Sequence, residues 1–377
     1  MDNGIRNNRI REWTSNEGAS GYLTIDLGAI RRNYEKLSAA VSPAKAAAVV
    51  KADSYGLGAT KIAPVLLSAG CHHFFVAHFC EAIEIRPHLS DEARIFVLNG
   101  LQPGNETPAA EAGIIPVLNS MEQLHRWSAT ARAIHRRLPA VLQFDTGMSR
   151  LGFPPEERSF LVEELRSNQD LDILFIMSHL ASADDEDSQQ NGDQLSEMRR
   201  IAEEFPAFGV CFANSGGVFL SNEYHGVLTR PGIALYGGAP NNGGSNPMEP
   251  VVSLDVAVIQ TRTVPAGARV GYGATFVTKT ETRLATIAAG YADGLPRSLS
   301  DSGAVYYNGV RLPIVGRVSM DSITIDVSAL PAGTLSLGSL VEVIGPNQTL
   351  EMLAADAGTI SYEILTSLGH RYRRQYR

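Results

Sequence analysis

Seven polar residues stand at or just past the end of an apolar run: Lys51, Asp145, Arg150, His179, Asn214, Ser215 and Arg230. Lys51 closes the climb through "KAAAVV" and opens the turn-forming stretch "ADSYGLG". An amine at the mouth of an apolar strand loses water, and desolvation favours its neutral form. A neutral amine is a nucleophile and can form a Schiff base with an aldehyde cofactor such as pyridoxal phosphate. A lysine that kept its charge would instead bind a substrate phosphate or carboxylate. Position alone leaves both uses open.

The elements that must place these groups repeat one theme. Short β-type runs occur at 45–50, 73–79, 94–99, 114–119, 140–145, 172–180, 209–215 and 226–237. Amphipathic helical patterns such as "EERSFLVEELRSN" and "GDQLSEMRRIAEEF" lie between several of them, and "LGAIRRNYEKLSAAV" precedes the first. Eight such runs alternating with helices predict an α/β fold, an N-terminal (β/α)8 TIM-type barrel. Active-site groups of such barrels sit at the carboxyl ends of strands, where the seven residues fall. A doubly wound open sheet competes, but no GxGxxG follows the first run. The link "GLQPGNETPAAEAG" is short and poor in helix signal. After "GGAPNNGGSNPMEP" the pattern changes to strand after strand. The expected division is therefore a barrel over 1–240, with 1–20 as a loose arm, and a C-terminal mainly β domain over 241–377.

Bulk properties exclude several function classes. The 377 residues are 44% hydrophobic and 19% charged, which is globular composition. A net charge of -8 argues against a dedicated nucleic-acid binder. No apolar run is long enough to span a bilayer, and the polar N-terminus lacks the apolar stretch of a secretory signal. Three scattered cysteines fit a reducing, cytoplasmic setting. The stretch "CHHFFVAHFC" gathers Cys71, His72, His73, His78 and Cys80, but its spacing matches no standard zinc pattern, and no metal is expected.

Eight motifs in order give a more specific reading: "AVVKADSYGLGA", "FDTGMSRLGF", "MSHLASADD", "ANSGG", "RPGIALYG", "GYGATF", "AGYADGLPR" and "VGRVSMD". With them the chain resembles the alanine racemases, pyridoxal-phosphate enzymes built of a barrel and a β-domain. The resemblance runs over nearly the whole chain apart from the first twenty or so residues. It implies that Lys51 holds the cofactor as an internal aldimine and, once freed by substrate, acts as a base on one face. Tyr272 is then the base on the opposite face, as racemisation needs a proton removed on one side and returned on the other. A free tyrosine titrates near roughly 10. His179 and Arg230 are expected to give Tyr272 a positively biased, hydrogen-bonded surrounding.

The remaining roles come from the same resemblance. Arg230 faces the pyridine nitrogen and can only donate, which leaves the ring a weaker electron sink. Ser215, the amides of Gly232 and Ile233, and the hydroxyls of Tyr55 and Tyr362 grip the phosphate. Asn214 is read as a positioning residue or simply a turn asparagine. Arg150 contacts the substrate carboxylate. Met320 walls a small pocket, and Tyr291 narrows its entrance. Tyr272, Tyr291 and Met320 come from the partner chain of a homodimer with shared sites.

Three positions depart from the family pattern. Gln143 replaces a lysine that many members carbamylate, so its amide or an anion such as chloride is expected to steady Arg150. Gln143→Ala should then weaken substrate binding, read as a raised KM; an unchanged kinetic profile would remove that role. Cys211 replaces a histidine behind Arg230, and Leu57 replaces a histidine of the lysine motif. The expected activity is interconversion of L- and D-alanine, supplying D-alanine for peptidoglycan. A broader-specificity or serine racemase is the alternative within the family. A decarboxylase fits Arg230 poorly, and a non-catalytic cofactor carrier would lack the β-domain.

Overall fold

The computed structural model describes residues 19–377. Most of the stretch read as a loose arm thus lies outside the described residues. Two compact units emerge, parting at Val252/Ser253. One holds Ile25–Val252 with Thr359–Thr366; the other holds Ser253–Gly358 with Ser367–Tyr376 and the described residues up to Thr24. Pairing between distant strands draws both ends of the chain into the β-rich unit, and local sequence pattern carries no mark of that.

The first unit is a closed parallel barrel. Its first strand is interrupted at Ala47, leaving the two segments Lys45–Ala46 and Ala48–Val49. The other seven are His73–Val76, Arg94–Val97, Ile114–Leu118, Leu138–Gln143, Leu171–Met177, Val210–Cys211 and Leu228–Thr229. Each pairs in parallel with the next, and the eighth returns to the first through Leu228↔Lys45 and Thr229↔Ala46. All eight apolar runs are therefore strands of one barrel. They read as apolar runs because a parallel strand covered on both faces buries successive residues.

Helices cover the outside. Leu27–Val41 begins where the Asp26 carboxylate accepts the Ala29 N–H at 2.8 Å, and it buries Ile30, Tyr34, Leu37 and Val41 along one stripe. The link with weak helix signal holds only the six-residue helix Glu106–Glu111. Inside, Phe75 stacks on Phe96 at 4.6 Å, and Phe96 meets Phe175 at 5.5 Å and His73 at 6.0 Å. The barrel axis is a packed core.

The second unit is mainly antiparallel. Val252–Val264 is its long central strand, alternating buried and half-buried residues over its first half. It pairs with Thr282–Ile287 and with Leu340–Ile344. Ala304–Tyr307 and Val310–Pro313 form a hairpin through Asn308–Gly309, both with positive φ, as a tight two-residue turn requires. Gly21–Ile25 and Arg373–Tyr376 complete the eight-stranded sheet. The helix Leu350–Asp356 belongs to this unit, whereas the Thr359–Thr366 segment, carrying Tyr362, belongs to the barrel.

Candidate active site

Lys51 begins immediately after the first barrel strand, and the chain there takes an unusual path. Ala52, Asp53, Ser54 and Tyr55 all have φ of 50–57° with positive ψ, a left-handed turn built without glycine. Such a conformation costs about 1–2 kcal/mol per L-residue, so surrounding contacts must impose it. Glu81 supplies one: its carboxylate accepts N–H groups from Ala52 (2.5 Å), Ala77 (2.7 Å) and His78 (2.9 Å). Asp53 supplies another, accepting the Ala59 N–H at 2.6 Å. Val50 N–H reaches Phe75 O at 2.8 Å and ties the turn to the second strand. Sequence reasoning missed Glu81; the one local signal is its place three residues after His78, at the start of the helix Phe79–Ile85.

The turn leaves Lys51 half-buried and aims Tyr55 inward. Burial, then the charges of Arg150 and Arg230, hold the Lys51 amine below the ordinary lysine range, against an opposite pull from Glu81. Lys51 and Tyr55 line an open cavity of about 580 Å³ with Ile360, Tyr362, Glu363 and Thr366. The Tyr55 ring packs between Tyr236 (4.8 Å) and Tyr362 (5.8 Å). Burial pushes the Tyr55 phenol well above its usual range, and it raises Tyr362 to about 12 with help from Asp184. Both hydroxyls therefore keep their protons as donors.

Opposite Tyr55 stands Gly232. A Cβ on Gly232 would lie 2.2 Å from the Tyr55 hydroxyl, so only glycine leaves this cradle open. The Gly232 N–H donates to Ser215 Oγ at 2.9 Å, and the Ala234 N–H does so at 3.3 Å. Ser215 thus accepts twice and keeps its own O–H to donate. Ile233 opens the 3-10 turn Ile233–Tyr236, where the first N–H groups lack partners within the turn. Asn214 is occupied structurally: Oδ1 accepts the Gly217 N–H, and Nδ2 donates to Leu180 O.

Arg230 is buried and fixed from several sides. Nη1 donates to Cys211 O (2.8 Å) and Cys211 Sγ (3.0 Å). Nη2 donates to Ser178 O (2.6 Å) and approaches Phe212 O and His179 Nδ1 at 3.4 Å. Its guanidinium also lies 6.0 Å from the Phe75 ring centre. Cys211 is thus an acceptor as well as a small buried apolar group, and burial keeps it a thiol by raising it. His179 departs from expectation. Burial first, then Arg230, Arg150 and Lys51, push it down to about 3, so it is neutral. It therefore carries no positive charge of its own, and the fixed charge beside it is that of Arg230.

Asp145 folds the loop that carries Arg150, its Oδ1 accepting the N–H groups of Gly147, Met148 and Ser149. Arg150 itself is exposed. Gln143, at the end of the fifth strand, is buried, and its side chain has no hydrogen-bond partner among the described residues. Tyr272, Tyr291 and Met320 belong to the β-rich unit, and each is exposed, at 71%, 45% and 52%. Asp293 is buried there and takes a two-pronged ion pair from Arg371, whose other arm reaches Asp321 beside Met320. Tyr291 N–H meets Ser319 O, and Ala292 N–H meets Met320 O, so this clamp fixes both positions together.

The barrel site fits a phosphorylated pyridine aldehyde. Among the described residues the Tyr55 and Tyr362 hydroxyls and the Arg230 Nε–H have no partner. Hydroxyl donors and a depressed amine thus line one cavity, and the Arg230 charge acts on the same amine.

Comparisons with known proteins agree with this geometry. The family model described as alanine racemase, N-terminal domain, matches residues 25–240, and that of the C-terminal domain matches 251–376. The chain is 68% identical to the "Alanine racemase, catabolic" of Rhizobium johnstonii over the full length of both chains. It is 63% identical to a protein of the same name from Agrobacterium fabrum, over 95% of this chain and 92% of the relative. Among solved structures, the alanine racemase of Bartonella henselae with covalently bound pyridoxal phosphate superposes with a TM-score of 0.92 at 44% identity. That match covers 95% of this chain and all of the other.

Proposed function

From a chain that belongs to the alanine racemase family, we infer an enzyme that interconverts L- and D-alanine with pyridoxal 5'-phosphate at the carboxyl mouth of its barrel. One observation carries the reading: the depressed Lys51 amine shares a cavity with Tyr55, whose hydroxyl sits against Gly232. When bound, the cofactor supplies an electron-withdrawing ring that acidifies the α-proton of an attached amino acid. Everything else falls to side chains of this chain.

Lys51 holds the cofactor through Nζ and, when substrate displaces it, carries the α-proton on one face. Tyr55, Tyr362 and Ser215 donate hydroxyl hydrogens to the phosphate with the Ile233 amide beside them, while Gly232, its amide on Ser215 Oγ, leaves the phosphate room. Arg230 offers Nε–H to the ring nitrogen. A guanidinium stays protonated and yields no proton, so Arg230 would leave that nitrogen unprotonated and temper the electron withdrawal the cofactor would supply. Neutral His179 accepts from Arg230 and holds it without adding charge. Arg150 takes the substrate carboxylate. Tyr272 carries the proton on the second face, while Met320 and Tyr291 bound the substrate pocket.

Tyr272, Tyr291 and Met320 act in the site of a partner chain, in a homodimer. Their exposure in one chain supports this reading, since a catalytic tyrosine left open to water would serve poorly. Free thiols at Cys71, Cys80 and Cys211 support a cytoplasmic setting. Among the described residues no helix is long and apolar enough to cross a membrane. The names of the two relatives favour a second point: this enzyme serves alanine breakdown more than wall synthesis. A deletion strain that loses growth on alanine yet needs no added D-alanine is the expected result; a D-alanine requirement would reverse that assignment.

The activity is tested by incubating holoenzyme with L-alanine in D2O and separating the enantiomers. D-alanine carrying α-deuterium is expected. Yellow protein that neither racemises nor exchanges would mark a cofactor carrier. Running L-serine and larger amino acids alongside fixes the substrate range.

A further inference from the structure

The amino-terminal mouth of the barrel holds a second cavity, of about 390 Å³, that the chemistry above does not use. Lys45 opens the first strand, His73 the second and Arg94 the third, and His73 stands in register with Arg94. First residues of parallel strands share one end of a barrel, so these three gather at the mouth opposite Lys51. Ser38 reaches the same cavity from the helix Leu27–Val41, and His72 and Glu92 from the loops before the second and third strands.

The charges there are unspent. Among the described residues neither Lys45 nor Arg94 makes an ion pair. Glu92 is the one carboxylate of the lining. The His73 ring, stacked on Phe96, is held neutral, pushed down to about 4 by burial first and then by Arg94, Lys45 and His72. Those groups therefore face a common point. Two fixed cations against one carboxylate, in a concave site, attract anions.

We propose that this mouth is a binding site for a small multivalent oxyanion of the phosphate or diphosphate type, held between Lys45 Nζ and the Arg94 guanidinium with the Ser38 hydroxyl as a third donor. A monovalent carboxylate would neutralise only one of the two charges and would still meet Glu92. A diphosphate offers oxygens to both cations, and a cavity of this size admits it.

Calorimetric titration of holoenzyme with inorganic pyrophosphate tests the site, since the cofactor's own phosphate then fills the cradle at the other mouth. One ion per chain is expected. Lys45→Met and Arg94→Gln should each weaken binding roughly fivefold or more. Glu92→Gln should tighten it, a direction that mere structural damage would not give. Racemisation should stay within about twofold in all three, because none touches the reacting groups. Absence of saturable binding, or equal affinity in wild type and both cation variants, would overturn the proposal.

Discussion

Lys51→Met should abolish racemisation, by about 10⁴-fold or more, while making the cofactor-free protein more stable near neutral pH. Methionine keeps the apolar stem and removes the amine. The variant loses both the covalent hold on the cofactor and one of the two proton carriers. Borohydride should fix cofactor to wild type and not to the variant.

The stability gain follows from the direction of the lysine's shift. The folded-state pKa of Lys51 lies below the value of the same amine in the unfolded chain. Below the folded pKa the amine is charged in both states, and the native state carries the full penalty of a desolvated charge. Between the folded and unfolded values the unfolded chain binds the extra proton, so stability rises with pH. The advantage of Lys51→Met over wild type should therefore be greatest at the acid end of that window and narrow as pH rises. Denaturant melts of both apoproteins across the window give the answer. A pH-independent difference would mean that desolvation does not set the state of this amine.

Tyr272→Phe should produce an asymmetric loss. With the phenol gone, abstraction from one enantiomer should fall by about 10²–10⁴-fold, whereas exchange of the other, served by Lys51, should fall far less. Following α-proton washout of L- and D-alanine separately in D2O reads the two faces apart. Equal losses would argue against two bases on opposite faces. The same variant tests the shared site. Mixing Tyr272→Phe with Lys51→Met subunits should restore about a quarter of wild-type activity, since half the dimers are mixed and each holds one site with both groups. No recovery after subunit exchange would place both groups of a site in one chain.

Much of the barrel could be read from residues alone. Doubly covered strands such as "RIFVLN" and "IIPVLN" must be apolar throughout, and their spacing leaves room only for helical crossovers. The division of the chain was less legible. Gly21–Ile25 and Arg373–Tyr376 pair far from their sequence neighbours, and no local pattern records a partner hundreds of residues away. Lys51, His179, Ser215 and Arg230 stood out as strand-end polar groups, but their tasks did not. Tyr272 reads as an ordinary strand tyrosine without the family motif. The neutrality of His179 was beyond sequence, because it depends on three cations converging on a buried ring. So was the hand of the turn after Lys51, where Asp53 alone is of a type that tolerates it readily.

That hand also ties the site to distant parts of the chain. A left-handed stretch of L-residues is costly in itself, and the local bonds of Asp53 and Ser54 to nearby N–H groups act together with the more distant Glu81 to hold it. The second strand and the helix carrying Glu81 both bond to it. Ser215 and Gly232, which complete the cradle, arrive with the last two strands. The setting of the Lys51 amine and the cradle that faces it thus draw on both ends of the barrel's sequence, so a chain cut before the last two strands would hold the lysine without its cradle.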